Sequence, residues 1–242
     1  GDSGNQVVIE EFLTGPEVSV LAFTDGKSLK PMVSSKDHKR ALDGDQGLNT
    51  GGMGTISPNP HYDDAMAQRC MEEIFLPTIR AMAKEGRPFK GCLYFGLMLT
   101  PDGPKVVEYN SRFGDPETQP VLSLLKTDLL DVMMACSNGT LDQLNVTWSD
   151  GAACCIVMAS GGYPMDYQKG YPISGLDSVD EDVFIYHAGT KFQEGTYLTN
   201  GGRVLGVTAT ADDLESAIAK AYHAVEGISF QDAHYRTDIG RK

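Results

Sequence analysis

The run Val106-Val107-Glu108-Tyr109-Asn110-Ser111-Arg112-Phe113-Gly114-Asp115-Pro116-Glu117 carries the densest chemistry in the chain. Glu108 and Asn110 are two residues apart in a β-rich stretch. On a strand both side chains project to one face and offer a carboxylate and an amide oxygen to the same point. Mg²⁺ suits that pair, because it is a hard cation that takes one or two protein oxygens and completes its shell with water and nucleotide phosphates. Arg112 continues the alternation. Its planar guanidinium can hold a carboxylate or a transferring phosphoryl group beside the metal, and Asp115 and Glu117 can orient a substrate ammonium. Alternating polar residues at a strand end are more often a solvated sheet face, and it is the content of the whole run that favours chemistry.

The segment Asn49-Thr50-Gly51-Gly52-Met53-Gly54 is a second candidate. It lacks the final lysine and Ser/Thr of a P-loop and is not a dinucleotide fingerprint. Its glycines would let consecutive backbone N–H groups form an anion-binding nest. Upstream, Lys36, His38, Lys39 and Arg40 concentrate positive charge in an otherwise acidic chain, as an enzyme handling phosphates needs. Either feature alone reads equally well as a surface loop or a solvated charge run; together they favour a phosphate lid. The opening run Glu10 to Glu17 reads, in isolation, as an amphipathic strand and turn.

These residues need elements to hold them. Val7 to Leu13, Val18 to Phe23 and Leu29 to Val33 are β-rich runs that predict an antiparallel meander. Between Ser34 and Pro60 apolar periodicity vanishes, which predicts a long functional loop that orders on phosphate. Helical spacing from Asp63 to Lys84 predicts a helix kinked or divided at Pro77. Cys92 to Thr100 and Lys105 to Asn110, joined by Pro101-Asp102-Gly103-Pro104, predict a hairpin. Helices follow at Glu117 to Leu125 and Asp128 to Ser137, with a boundary near Asn145. Beyond it lie strands at Ala152 to Ala159, Val183 to His187 and Arg203 to Thr210, then a helix from Asp213 to Glu226 with Asp212 as N-cap.

The 242 residues hold 20 Lys+Arg against 33 Asp+Glu, a formal charge of -13 that argues against a nucleic-acid partner. No apolar run approaches the length of a bilayer span, so a membrane partner is not expected. The five cysteines, Cys70, Cys92, Cys136, Cys154 and Cys155, are odd in number and lack C-x-x-C spacing. They read as reduced thiols of a cytoplasmic protein. The chain opens without methionine and enters an apolar run within a few residues, which suggests a fragment.

Arg112 to Glu117 followed by Thr118-Gln119-Pro120 closely resembles the signature of the phosphoribosylamine-glycine ligase (glycinamide ribonucleotide synthetase) family, within the ATP-grasp superfamily. Asp37 to Arg40, Asn49 to Gly54, Gly161-Gly162-Tyr163-Pro164, His187-Ala188-Gly189-Thr190 and Thr199 to Leu205 resemble its other motifs in the same order, so the resemblance covers essentially the whole chain. The fold it implies is α/β with α+β character. Residues 1–145 would be the C-terminal part of an ATP-grasp domain with an antiparallel sheet and helices, and 146–242 a small mixed α/β C-terminal domain. The family's N-terminal domain has no counterpart.

The implied reaction is ATP-dependent joining of glycine to 5-phosphoribosylamine through glycyl phosphate, in purine biosynthesis. The alternatives are another ATP-grasp carboxylate-amine ligase, or a nucleotide-binding fragment without turnover. By the same resemblance Glu108 and Asn110 hold Mg²⁺ or Mn²⁺ and Arg112 steadies the acyl phosphate, with Asp115 and Glu117 beside it. The backbone of Glu11, Phe12 and Leu13 is the adenine hinge, Glu17 meets the ribose, and Leu97 packs under the base. The fragment alone is expected to fold but not to catalyse.

Overall fold

A computed structural model describes residues 4–177 and 180–241. Its first sheet is antiparallel, in the order β2 (Leu29–Pro31), β1 (Glu17–Thr24), β7 (Gly91–Thr100), β8 (Gly103–Asn110). β1 is apolar on both faces because helices cover both. Val18, Val20 and Ala22 pack with Phe95 and Leu97 against Cys70, Ile74, Phe75 and Ile79. Leu21 and Phe23 pack with Tyr94 against Val121, Val132 and Cys136. The first helical layer is α1 (Asp64–Cys70), a single π turn (Met71–Phe75) and α2 (Leu76–Lys84). The second is α3 (Thr118–Ser123) and α4 (Leu129–Asn138). The division of the 63–84 helix therefore precedes Pro77, which sits in the first turn of α2. The wider turn before it relieves the clash that proline's ring makes with the preceding turn.

The second sheet runs β10 (Val183–His187), β13 (Arg203–Ala211), β9 (Ala152–Ser160), β6 (Gly54–Ser57), β3 (Lys36–Asp37), with β14 (Ala233–His234) also paired to β9. Every residue of β9 is buried. Cys154, Ile156 and Met158 meet Ala217, Ile218, Ala221 and Val225 of α5 (Leu214–Glu226), while α3 lies against β6, β9 and β13 as well. Small hairpins are formed by β4 (Arg40–Leu42) with β5 (Gln46–Asn49) and by β11 (Thr190–Gln193) with β12 (Thr196–Thr199). Because β3 and β6 pair into the second sheet, segments from both sides of Asn145 share one β-ladder.

Three expectations need correction. Val7 to Leu13 forms no strand; Val7, Val8, Ile9 and Phe12 are exposed, with no sheet to bury them. The meander reduces to β1 and β2, and β1 takes its other partner from β7, far along the chain. The 34–60 segment is no open loop: it contains β3, β4, β5 and β6 and buries Met53 and Ile56 completely. Its strands are too short to show periodicity in sequence. The N-cap of α5 is Asp213, whose carboxylate accepts from Ser216 N at 2.8 Å, and not Asp212.

Candidate functional site

The β7–β8 hairpin forms as its turn chemistry demands, and its register places the key pair. Glu108 lies opposite Gly96 and Asn110 opposite Tyr94, on one face of the sheet. Both side chains line a pocket of about 180 Å³ together with Asp37, Lys39, Thr50, Gly51, Tyr94, Arg112, Asp115 and Glu117. The pocket lies at the meeting of the two sheets: β8 supplies Glu108 and Asn110, β3 supplies Asp37, and the 111–117 turn supplies Arg112, Asp115 and Glu117.

Charge is dense here, with the carboxylates of Asp37, Glu108, Asp115 and Glu117 outnumbering the basic Lys39 and Arg112. Lys39 Nζ sits 2.9 Å from Glu17. Although burial works against its ammonium, the hydrogen bond to Glu17 and the nearby Glu17, Asp37 and Glu108 carboxylates hold its pKa above the ordinary lysine value. Glu117 is buried and accepts a hydrogen bond from Tyr94 O–H at 3.0 Å, while the Tyr94 oxygen lies 2.7 Å from Ser19 Oγ. Burial raises the Glu117 pKa. Burial, and then the neighbouring Glu117 carboxylate, push Asp37 well above the usual carboxylate range. Asp37 and Tyr94 were not among the residues expected in the site. Tyr94's alternation with Gly96 on the strand facing Glu108 was the available signal for it; Asp37 stood inside the basic motif, masked by its neighbours.

The basic cluster does not act as a unit, because the strand pleat and the β3–β4 corner send its members apart. Only Lys39 reaches the pocket. Arg40 is exposed and donates to Gly47 O at 2.8 Å, and Lys36 lies opposite Ile56 in the β3–β6 pair. His38 is buried: its Nε2 accepts from Gly240 N at 3.2 Å, which assigns the proton to Nδ1 facing Gly54 O at 3.1 Å. Desolvation lowers its pKa to about 4, so it brings no positive charge to a phosphate at neutral pH.

The glycine segment is likewise not an open nest. Its amides are already engaged by protein acceptors: Thr50 N by Lys39 O, Gly51 N by Tyr163 Oη at 3.0 Å, Gly52 N by Thr50 Oγ1 at 2.9 Å, Met53 N by His38 O. Asn49 belongs to β5, and Met53 and Gly54 are buried. Thr50 and Gly51 alone line the pocket. The glycines serve close packing instead. A Cβ on Gly51 would fall 2.9 Å from Arg203 Cζ, and one on Gly52 would overlap Pro116 and come within 2.7 Å of Asp37 Oδ1.

Beside the pocket, a groove of about 390 Å³ is lined by Glu10 to Leu13, Met98 and Lys105 to Val107. Glu11 is tied to Lys105 Nζ at 2.6 Å. Leu97, expected under an adenine, is on the opposite face of β7, buried with Phe75 and Phe95; the strand pleat makes Met98, opposite Glu17, the groove residue. No group of three or more His, Cys, Asp or Glu side chains among the described residues forms a metal cage. Glu108 and Asn110 do fit a hard cation that keeps water and phosphate oxygens in its shell, since both offer oxygen from one face of a rigid strand. Arg203, 152 positions from Gly51, donates to Gly51 O at 2.8 Å and was not expected in the site at all.

Comparison with known proteins gives two family matches. Residues 1–118 match the model of the phosphoribosylglycinamide synthetase ATP-grasp (A) domain, and residues 153–242 match that of the phosphoribosylglycinamide synthetase C domain. The chain is 53% identical over 240 residues to the phosphoribosylamine–glycine ligase of Synechocystis, covering 98% of this chain and 57% of that protein. It is 50% identical to the bifunctional purine biosynthetic protein PUR2,5 of Pichia angusta, over 100% of this chain and 31% of that one. The crystal structure of the Thermotoga maritima phosphoribosylamine–glycine ligase superposes with a TM-score of 0.85 at 36% identity, covering 95% of this chain and 56% of that chain. The chain thus spans little more than half the length of the single-function relatives.

Proposed function

The chain belongs to the phosphoribosylglycinamide synthetase family, and from that premise we propose that it forms part of an ATP-dependent ligase joining glycine to 5-phosphoribosylamine in purine biosynthesis. The observation that carries the reading is the convergence of Glu108, Asn110, Arg112 and Lys39 on one pocket beside an apolar-floored groove. In this reading the groove takes the base of ATP against the backbone of Glu11 to Leu13 and the side chain of Met98, and the phosphates run toward the pocket. A Mg²⁺ or Mn²⁺ held by Glu108 and Asn110 would neutralise phosphate charge. Arg112 holds the glycine carboxylate in line with the γ-phosphate and then steadies the acyl phosphate formed when that carboxylate displaces ADP. Lys39 supplies a second positive charge to the transferring group. The amine of the sugar then attacks the acyl carbon, phosphate leaves, and glycinamide ribonucleotide is the product. The five cysteines are all free and buried, which fits a cytoplasmic setting. No helix among the described residues is long and apolar enough to cross a membrane.

The test is Glu108→Ala in a protein of the relatives' full length that carries this chain. Glycine- and phosphoribosylamine-dependent ADP formation should be lost while thermal unfolding stays unchanged, because Glu108 is exposed and supports no core. Near-normal turnover at saturating Mg²⁺ would remove Glu108 from the metal site.

A further inference from the structure

The pocket wall is assembled from two segments distant in sequence, the Thr50–Gly52 loop and the Asp115–Glu117 turn, and one side chain joins them. Arg203 Nη1 donates to Gly51 O and to Asp115 O, each at 2.8 Å, and its Nη2 lies 3.3 Å from Asp115 Oδ2. The guanidinium also comes so close to the loop that only a glycine leaves it room at Gly51, where a Cβ would fall 2.9 Å from Cζ. The β9–β13 pairing is irregular between Arg203 and Leu205, and such irregularities re-aim the side chain beside them. Tyr163, whose Oη accepts from Gly51 N, packs against Gly202 next to Arg203. Arg203 of β13 and Tyr163, three residues past β9, therefore grip the loop through its carbonyl and its amide, and Arg203 grips the turn through the backbone and carboxylate of Asp115.

We propose that Arg203 is a positioning residue that locks the Thr50–Gly52 loop to the Asp115–Glu117 turn, and through them sets the spacing of Lys39 and Arg112 around the transferring phosphoryl group. Its link to catalysis rests on the ligase reading above. A lysine cannot replace it, because a single ammonium lacks the planar fork that spans two carbonyls and a carboxylate.

Two measurements on the full-length protein test this, with Arg203→Ala and Arg203→Lys. The first is hydrogen exchange, which requires no activity. Exchange at Gly51 and Gly52 should quicken by about tenfold or more in Arg203→Ala, while the β9 amides of Cys154 to Met158 keep the wild-type rate. Where the β9 amides quicken as well, Arg203→Lys is read in the same way. The second is turnover. A misplacement of about 1 Å costs on the order of 10²-fold, so kcat should fall by that order in both variants with a smaller change in KM for ATP, and added guanidinium should restore activity to Arg203→Ala. Unchanged exchange at Gly51 and Gly52 in both variants overturns the lock, whatever happens to kcat. Faster exchange with kcat within about tenfold of wild type overturns the link to catalysis. A wild-type protein without glycine-dependent ADP formation defeats the ligase reading instead, and the exchange data then decide the lock by themselves.

Discussion

Gly52→Ala probes a tight joint of the site, where the glycine loop meets Pro116. Gly52 has φ +113°, where an L side chain is strained, and a Cβ there would overlap the Pro116 ring and approach Asp37 Oδ1 to 2.7 Å. If the joint holds rigid, the backbone strain costs about 1–3 kcal/mol and the overpacking about 1–3 kcal/mol more. If the loop gives way instead, the hydrogen bonds from Arg203 to Gly51 O and from Gly51 N to Tyr163 lengthen, and the lost alignment should lower turnover by about 10²-fold. Either response is large. The control is Gly195→Ala in the turn between β11 and β12. Gly195 has φ +79° but nothing within 4 Å of its added Cβ. Only the left-handed backbone penalty of about 1–2 kcal/mol applies there. Urea unfolding of both variants, with ADP formation measured in parallel on the full-length protein, separates contact from strain. Gly52 is not a packing joint if Gly52→Ala loses no more stability than Gly195→Ala and also keeps turnover within about tenfold of wild type.

Other predictions concern how the site is supported. Arg236 is fully buried, with Nε 2.8 Å from Asp238, Nη2 2.9 Å from Asp45 and Nη1 donating to Arg40 O. Arg236→Ala should cost about 3 kcal/mol in urea unfolding, the low end for breaking a buried pair because the Asp45 end is exposed; a loss under about 1 kcal/mol, the worth of a surface pair, would contradict it. His38 is neutral when folded, its pKa lowered to about 4 by burial and by Arg236 and Lys36, with the hydrogen bond to Gly54 O and then Asp45 opposing. The unfolded histidine, near 6.5, binds its proton first. Its contribution is thus fully present above about pH 6.5 and is lost as pH falls toward 4, at most roughly 3 kcal/mol. His38→Asn should therefore lose less stability than wild type between pH 7 and pH 4; parallel pH curves for the two proteins would count against the buried neutral imidazole.

Much of the site was legible because its chemistry is local. Glu108 and Asn110 share a face by the two-residue period of a strand, and Pro101 to Pro104 fixes their hairpin, so a few neighbouring residues suffice to aim two oxygens at one pocket. Strand β9 and the body of helix α5 were equally readable, since a run of buried residues and an amphipathic period each announce their environment, and only the cap of α5 falls one residue from its expected place. The failures share the opposite property. Whether Asn49 to Gly54 is an anion nest depends on what its amides already bond, and the acceptor for Gly51 N is Tyr163, 112 positions away. Whether His38 is a cation depends on Gly54 and Gly240 closing around its ring, the latter 202 positions away. Residue type and local spacing therefore state what a group can do, whereas its charge and its free donors are decided by distant partners. Arg203 follows the same logic: in sequence it is one basic residue opening a strand, and its role exists only where two remote carbonyls and a carboxylate meet its guanidinium.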